Sequence, residues 1–312
     1  MDRAKDTFNQ VNTKVQDVVR NRGAVAVFVI LTIMLIVVII AYIVWKMNRS
    51  NLKGTTLITT PKKLMGTVYD PIQASRLPAM SVGQEFSWTF WLYMSDFQVT
   101  SQHKLIFMRN TASSIGNSRY KTMNPVVMVD KFTNKMYICL LTNRTPNAAP
   151  QSLDDILTAT GVNATFMVAT IDYVPMQRWV NVTFTTDQNL LSVFLDGNLY
   201  TVQSLYDMRD TSAAASINGL VTPLFQACTG DVRVGTFDTA MSSPLTGFIS
   251  NLQFFNYSLS ANDSKGIYNI GPDTGFSLLR MLGVPEYGVR SPVYRLDDQG
   301  ASATSSTALG AN

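Results

Sequence analysis

The chain has 312 residues, 46% of them apolar, with one histidine, two cysteines and a formal net charge of +4. So few Cys and His exclude a Cys/His zinc site at any usual spacing. The charge is unevenly spread: residues 1–65 hold ten Lys/Arg against three Asp, residues 66–284 thirteen against fifteen acids, and residues 285–312 two against three. The basic character therefore belongs to the first segment. The rest lacks the clustered basic face that phosphate binding needs, which excludes nucleic acid as a partner.

Residues 1–23 place Phe8, Val11, Val15 and Val18 at helical spacing between polar residues, the pattern of an amphipathic helix. Such a helix lies on a membrane surface, continues into the next segment as one rod, or pairs with a neighbouring protein. Residues 24–45 then run for twenty-two positions without a charge, Thr32 being the one polar interruption. At about 1.5 Å per residue this covers roughly 33 Å, enough for a transmembrane helix. Tyr42 and Trp45 stand where interfacial aromatics belong, and Arg20, Arg22, Lys46, Arg49 and Lys53 supply basic flanks. The acids Asp2, Asp6 and Asp17 before the run, and its length, argue for a retained anchor rather than a cleaved signal peptide. Lys14, Arg20 and Arg22 on one side balance Lys46, Arg49 and Lys53 on the other, so the charge rule gives no orientation. Residues 46–65 are basic, then Thr-rich, and reach Pro61, the composition of a linker.

From residue 81 the pattern changes to period two. In Phe86-Ser-Trp-Thr-Phe-Trp-Leu-Tyr93, Phe86, Trp88, Phe90 and Leu92 share one face while Trp91 and Tyr93 share the other, predicting a strand covered on both sides. Further strands are predicted at 104–108, 126–129, 136–141, 165–171, 179–185, 191–195, 199–202, 231–235 and 248–255. Asp196-Gly197 between two alternating runs predicts a tight hairpin. The stretches 143–161 and 207–229 read as loops. Ten short strands with almost no helical periodicity imply an all-β, two-sheet antiparallel sandwich over residues 66–284. Residues 285–312 read as a flexible tail.

Four separated motifs, Phe86 to Tyr93, Arg178-Trp-Val-Asn-Val-Thr183, Val193-Phe-Leu-Asp-Gly-Asn-Leu199 and Gly247-Phe-Ile-Ser-Asn-Leu-Gln-Phe-Phe-Asn-Tyr-Ser-Leu-Ser260, occur in one order. The stretch from Val68 to Pro272 that contains them resembles the concanavalin A-like lectin/glucanase (laminin-G-like) jelly roll. With Ser75-Arg-Leu-Pro78 before the first motif and Ile267-Tyr-Asn-Ile-Gly-Pro272 after the last, it is similar to versions from large DNA viruses of algae and protists. In this frame Trp179 is expected in the core, with glycan stacking as the alternative. Gly247 is expected to turn the backbone into a last strand buried on both faces.

Glucanases of this fold use closely spaced acids on one strand. Here Glu85 and Glu286 are isolated and Asp154-Asp155 is the one acidic pair within the sandwich, read as solvated. His103 has no nucleophile in a recognisable motif, so no catalytic residue is assigned and the protein is expected not to be an enzyme. The resemblance raises calcium, for which Asp130, Asp231 and Asp238 are the candidates, but their spacing fits no calcium loop and no cofactor or metal ligand is assigned. Cys139 and Cys228 read as buried thiols, one bridge being the alternative. Asn48, Asn143, Asn163, Asn181, Asn256 and Asn262 begin Asn-X-Ser/Thr sequons that leave the topology open.

The expectation is a single-pass membrane protein of a virion, a minor capsid component that ties the protein shell to an internal membrane. Its partners would be the bilayer and other capsid or membrane proteins. The alternative is a membrane-anchored lectin or adhesion protein binding glycan or a host receptor. Removing residues 1–45 should leave a folded, soluble sandwich that no longer fractionates with membranes; aggregation of the fragment in a sedimentation assay would count against an independent sandwich.

Overall fold

The computed structural model describes residues 25–43, 54–64, 69–78, 84–110, 122–144, 150–159, 164–209, 221–226, 230–236 and 241–272. The basic flanks Arg20, Arg22, Lys46, Arg49 and Lys53, Trp45, Asp238, Glu286, Cys228, the amphipathic segment and the tail lie outside them. The chain divides into two units, Met1–Lys53 and Gly54–Asn312.

In the first unit, helix α1 (Val25–Ile43) is 19 residues long, about 28 Å, and apolar enough to cross a bilayer. Its Thr32 hydroxyl donates to the Phe28 carbonyl at 2.8 Å, one turn back, so the polar group is satisfied within the helix. Tyr42 lies near the helix end and is exposed, like the apolar residues along the helix.

The second unit is an all-β sandwich. Its twelve described strands are β1 (Thr55–Ile58), β2 (Lys62–Lys63), β3 (Phe86–Met94), β4 (Lys104–Asn110), β5 (Met123–Val129), β6 (Met136–Leu141), β7 (Phe166–Ile171), β8 (Trp179–Asp187), β9 (Leu190–Leu195), β10 (Asn198–Ser204), β11 (Asp231–Val234) and β12 (Gly247–Phe255). Among its described residues are two short α-helices, α2 (Leu153–Thr158) and α3 (Ala261–Ile270), and two 3-10 turns, Ala74–Arg76 and Leu205–Met208. One sheet runs β1-β12-β3-β8-β9-β10, with β2 also on β12; the other runs β11-β4-β5-β6-β7. All strand pairings are antiparallel.

The inner faces meet in one core. Phe86, Trp88, Phe90, Leu92 and Met94 of β3 face Phe107, Val127, Val129, Ile138 and Leu140 of the other sheet. Trp88 lies 5.4 Å from Phe107 and 4.8 Å from Phe254 between ring centroids, so large rings fill the space between the sheets. The second sheet is apolar on its outer face too: Leu105, Met108, Met123, Val126, Met128 and Cys139 are covered by Leu153 and Ile156 of α2 and by Met241. The outer face of the first sheet is polar where α3 covers it. There Asn181 donates to the Thr89 hydroxyl and the Phe90 carbonyl, and Thr183 to the Thr89 hydroxyl at 2.9 Å. Tyr268 of α3 stacks on Trp91, centroids 5.6 Å apart.

Several expectations are corrected. The 46–65 linker ends early, because Thr55–Ile58 and Lys62–Lys63 pair with β12; β-branched threonines beside Leu57 and Ile58, which are buried, make a strand rather than a spacer. The 143–161 stretch contains α2, whose N-terminus carries a reciprocal capping box between Ser152 and Asp155. Ser260 and Asp263 cap α3 in the same way. Trp179 is half-buried on an outer face instead of in the core, and Phe248 is exposed. Gly247 is required by close approach: a Cβ there would strike the Tyr93 carbonyl oxygen of the neighbouring strand. The Asp196-Gly197 hairpin is as expected, with φ of 51° and 73° at its two turn residues.

Gly247→Ala should destabilise the sandwich by about 2–3 kcal/mol, since backbone is what must yield. Gly266→Ala in α3, with no atom within 4 Å of the new Cβ, should be neutral or stabilising by about 0.5–1 kcal/mol. Urea unfolding of both variants checks the contrast; equal midpoints would refute the packing assignment.

Candidate docking surface at one end of the sandwich

The registers define two ends. Thr55 pairs with Phe254, and the next pairs, Phe255 with Ser87 and Ser87 with Thr185, mark the end where the chain coming from α1 joins the sandwich. Lys63 pairs with Phe248, Phe248 with Tyr93, and Tyr93 with Trp179, marking the other end. Along β12 the two rows are six residues apart, about 20 Å. The loops β3–β4, β5–β6 and β7–β8 all gather at the second end, here termed the loop end.

Backbone bonds lock these loops together. Thr100 N–H donates to the Lys131 carbonyl at 3.1 Å, Val174 N–H to the Asn134 carbonyl at 3.0 Å, and Gln177 N–H to the Met94 carbonyl. A charged cluster lies beneath. His103, 3% exposed, points Nε2 at Asp154 Oδ1 (3.0 Å) and Nδ1 at Asp130 Oδ1 (3.5 Å). Lys131 Nζ donates to the same Asp154 oxygen at 2.8 Å. Asp130 Oδ2 accepts from the N–H groups of Phe132 and Thr133 and from the Thr133 hydroxyl. Burial alone would raise the Asp130 pKa, but the bonds from Thr133 and Phe132 bring it below the usual carboxylate range. The bond from Lys131 does the same for Asp154, with His103 adding to it.

Lys104 is buried with its stem; its Nζ donates to the carbonyls of Asp130 and Lys131, both at 3.3 Å, and lies 4.1 Å from the centre of the Phe97 ring. Burial lowers its pKa, against the pull of Asp130. The turn 130–135 is thus held from below by an ammonium, with the imidazole beside it.

On this framework each loop raises one large apolar side chain into solvent: Val99 is 68% exposed, Phe132 60% and Tyr173 61%. Lys131 Nζ sits 5.3 Å from the Phe132 ring centre. Around the corner, on the outer face, Phe248, Tyr93 and Trp179 form a cross-strand aromatic row, with centroids 6.3 and 5.6 Å apart and rings tilted by 59° and 54°. Val99, Phe132 and Tyr173 are thus exposed apolar residues on three loops at one end, and backbone hydrogen bonds connect those loops to their neighbours.

Of the residues singled out in the sequence, His103, Asp130 and Asp154 come together here and Trp179 borders the surface. Asp155 caps α2, and Asp231 accepts from the Ala74 N–H at 2.8 Å, far from Asp130. Among the described residues no group of three His, Cys, Asp or Glu is placed to hold a metal ion. Cys139 is a free, buried thiol whose pKa burial pushes up. Val99, Phe132 and Tyr173 were missed: single apolar residues in polar loops leave no periodic signal. The spacing of His103, Asp130 and Asp154 carries none either, since the contact is made by folding.

No family model and no curated protein matches the chain. Among solved structures it is similar to the binding domain of botulinum neurotoxin serotype G, at 12% identity and a TM-score of 0.39 over 60% of this chain and 36% of that one. It is also similar to the serotype D binding domain, at 12% identity and a TM-score of 0.42 over 70% and 47%. A third is the binding domain of botulinum neurotoxin DC in complex with rat synaptotagmin II, at 13% and 0.37 over 59% and 35%. The chain spans about a third to a half of the length of these domains.

Because the folded Asp154 pKa lies below the unfolded one, its contribution is present above about pH 4 and is lost as pH falls through the folded value. Asp154→Asn should therefore lower stability at neutral pH and flatten the acid limb. Urea midpoints measured across that limb check this; parallel pH slopes in both proteins would refute it.

Proposed function

We propose that the protein is a membrane-anchored, non-enzymatic tether: α1 holds it in a bilayer and the loop end of its sandwich docks on another protein. The observation that carries this reading is the set of bonded loops away from the attachment: the chain from α1 joins the sandwich at Gly54, beside Phe255, while Val99, Phe132 and Tyr173 stand on the loops of the opposite end. Leu190, Tyr206 and Leu224 are also exposed toward the joining end, so it is the bonded loops and not apolar exposure alone that single out the loop end. The hydrogen-bonded loops favour a partner met without rearrangement, since rigid apolar tips lose little entropy on docking. In the form the resemblance to concanavalin A-like proteins of large DNA viruses suggests, the bilayer is a virion's internal membrane and the partner its protein shell.

A second reading, glycan recognition, is favoured by one observation, the half-buried Trp179 in its aromatic row. The tilt between neighbouring rings weighs against it, because a sugar face stacks best on a flat platform.

In the intact particles or cells that contain the protein, a photo-crosslinking residue at position 132 or 173 should give a defined protein adduct, and one at Asp187, at the joining end, should not. Changing Val99, Phe132 and Tyr173 together to Ser should abolish tethering while altering stability by less than about 1 kcal/mol, as expected for exposed sites. Undiminished tethering in that variant sinks the proposal. Glycan binding that Trp179→Ala abolishes would establish the second reading.

A further inference from the structure

We propose that His103 is a proton-operated clasp that tightens the loop end when the imidazole is protonated and loosens it when it is not. This regulation rests on the docking reading of that end, but the clasp is defined by its own geometry.

His103 is the single histidine of the chain and immediately precedes β4. Both of its ring nitrogens face carboxylate oxygens, and the carboxylates belong to different elements: Asp154 to α2 and Asp130 to the β5–β6 turn. A neutral imidazole has one N–H and one lone pair. It can donate to Asp154 or to Asp130, and then sets a lone pair against the other carboxylate. The imidazolium donates to both. The Nδ1 atom is buried and has no hydrogen-bond partner in its present 3.5 Å approach to Asp130. The arrangement is therefore one bond short of closed, and a proton supplies that bond.

Asp130 Oδ2 is already engaged by Phe132 and Thr133, leaving Oδ1 for the ring. Lys131, in the turn itself, already ties the turn to α2 through its ion pair with Asp154 at 2.8 Å, so the proton adds a second tie. Lys104 directs its ammonium to the carbonyls of residues 130 and 131. Tyr137 of β6 meets the imidazole at 90°, centroids 5.9 Å apart, as an aromatic wall. Around the ring stand two carboxylates, with the Lys131 ammonium at Asp154 and the Lys104 ammonium at the Asp130 turn. The His103 carbonyl also accepts from Ser243 N–H at 3.0 Å, tying the loop before β12 to the same residue.

The consequence is directional. A protonated ring donates to both carboxylates and adds a second tie between α2 and the turn that raises Phe132, beside the Lys131–Asp154 ion pair. A neutral ring lacks that bond and sets a lone pair against one carboxylate. The loop end is best ordered with the ring protonated.

Hydrogen exchange on the full chain in lipid nanodiscs tests this at about pH 5.5 and about pH 7.5, with rates corrected for intrinsic chemistry. Protection of 130–135 and 153–158, referenced to the β8–β9 hairpin, should rise roughly tenfold at the lower pH, the size of one charge-assisted hydrogen bond. His103→Gln keeps one amide donor and cannot titrate; it should show no such pH dependence. Asp130→Asn should shrink it. Equal protection at both pH values in the parent protein, or undiminished pH dependence in His103→Gln, overturns the clasp. The readout needs no partner, so a failed crosslink at positions 132 and 173 would leave it standing, and a flat exchange profile would leave docking standing.

Discussion

Strand β12 is hydrogen-bonded along both edges, to β3 on one side and to β1 and β2 on the other, and its Ile249, Leu252 and Phe254 lie in the main core. The sandwich depends on that double pairing. A chain of short strands gains little from any single hairpin, and its stability comes from large rings buried between sheets that are already paired. Trp88, Phe107 and Phe254 meet only because β12 is brought from far along the chain to the consecutive strands β3 and β4. The need for Gly at 247 follows from the same crowding, because β12 begins against the backbone of Tyr93.

Much of this was legible in the sequence. The run Met136–Leu141 was matched residue for residue, and β3 and the Asp196-Gly197 hairpin were readable because alternation and a positive-φ turn are local properties. Thr55–Ile58 was misread as linker because its value as a strand depends on β12, nearly two hundred residues away. The helix α3 was hidden by Gly266 and by the lack of an apolar stripe, since Ser264 and Ile267 are its buried residues. Trp179 pointed the wrong way because alternation gives the two faces of a strand without saying which is inside. The loop end was almost invisible: Val99, Phe132 and Tyr173 belong to three loops, and His103 finds Asp154 fifty-one residues away.

The core and the loop end use different physics. The core is held by apolar area and would tolerate modest changes of charge. The loop end is held by a few polar contacts around His103, Lys104, Asp130 and Asp154, and of these the buried His103 and Lys104 have least access to water that could replace a lost partner.

The position of β1 also bears on how the molecule is made. A chain emerging from its N-terminus delivers α1 and then β1 long before β12 exists, and among the described residues β1 pairs with β12 alone. The edge of β3 that β12 will occupy stays open for the same interval. The apolar segment is therefore available to a bilayer while most of the sandwich is still unsynthesised. Closure of the sheet becomes a late event, carried out by a chain already fixed at one end.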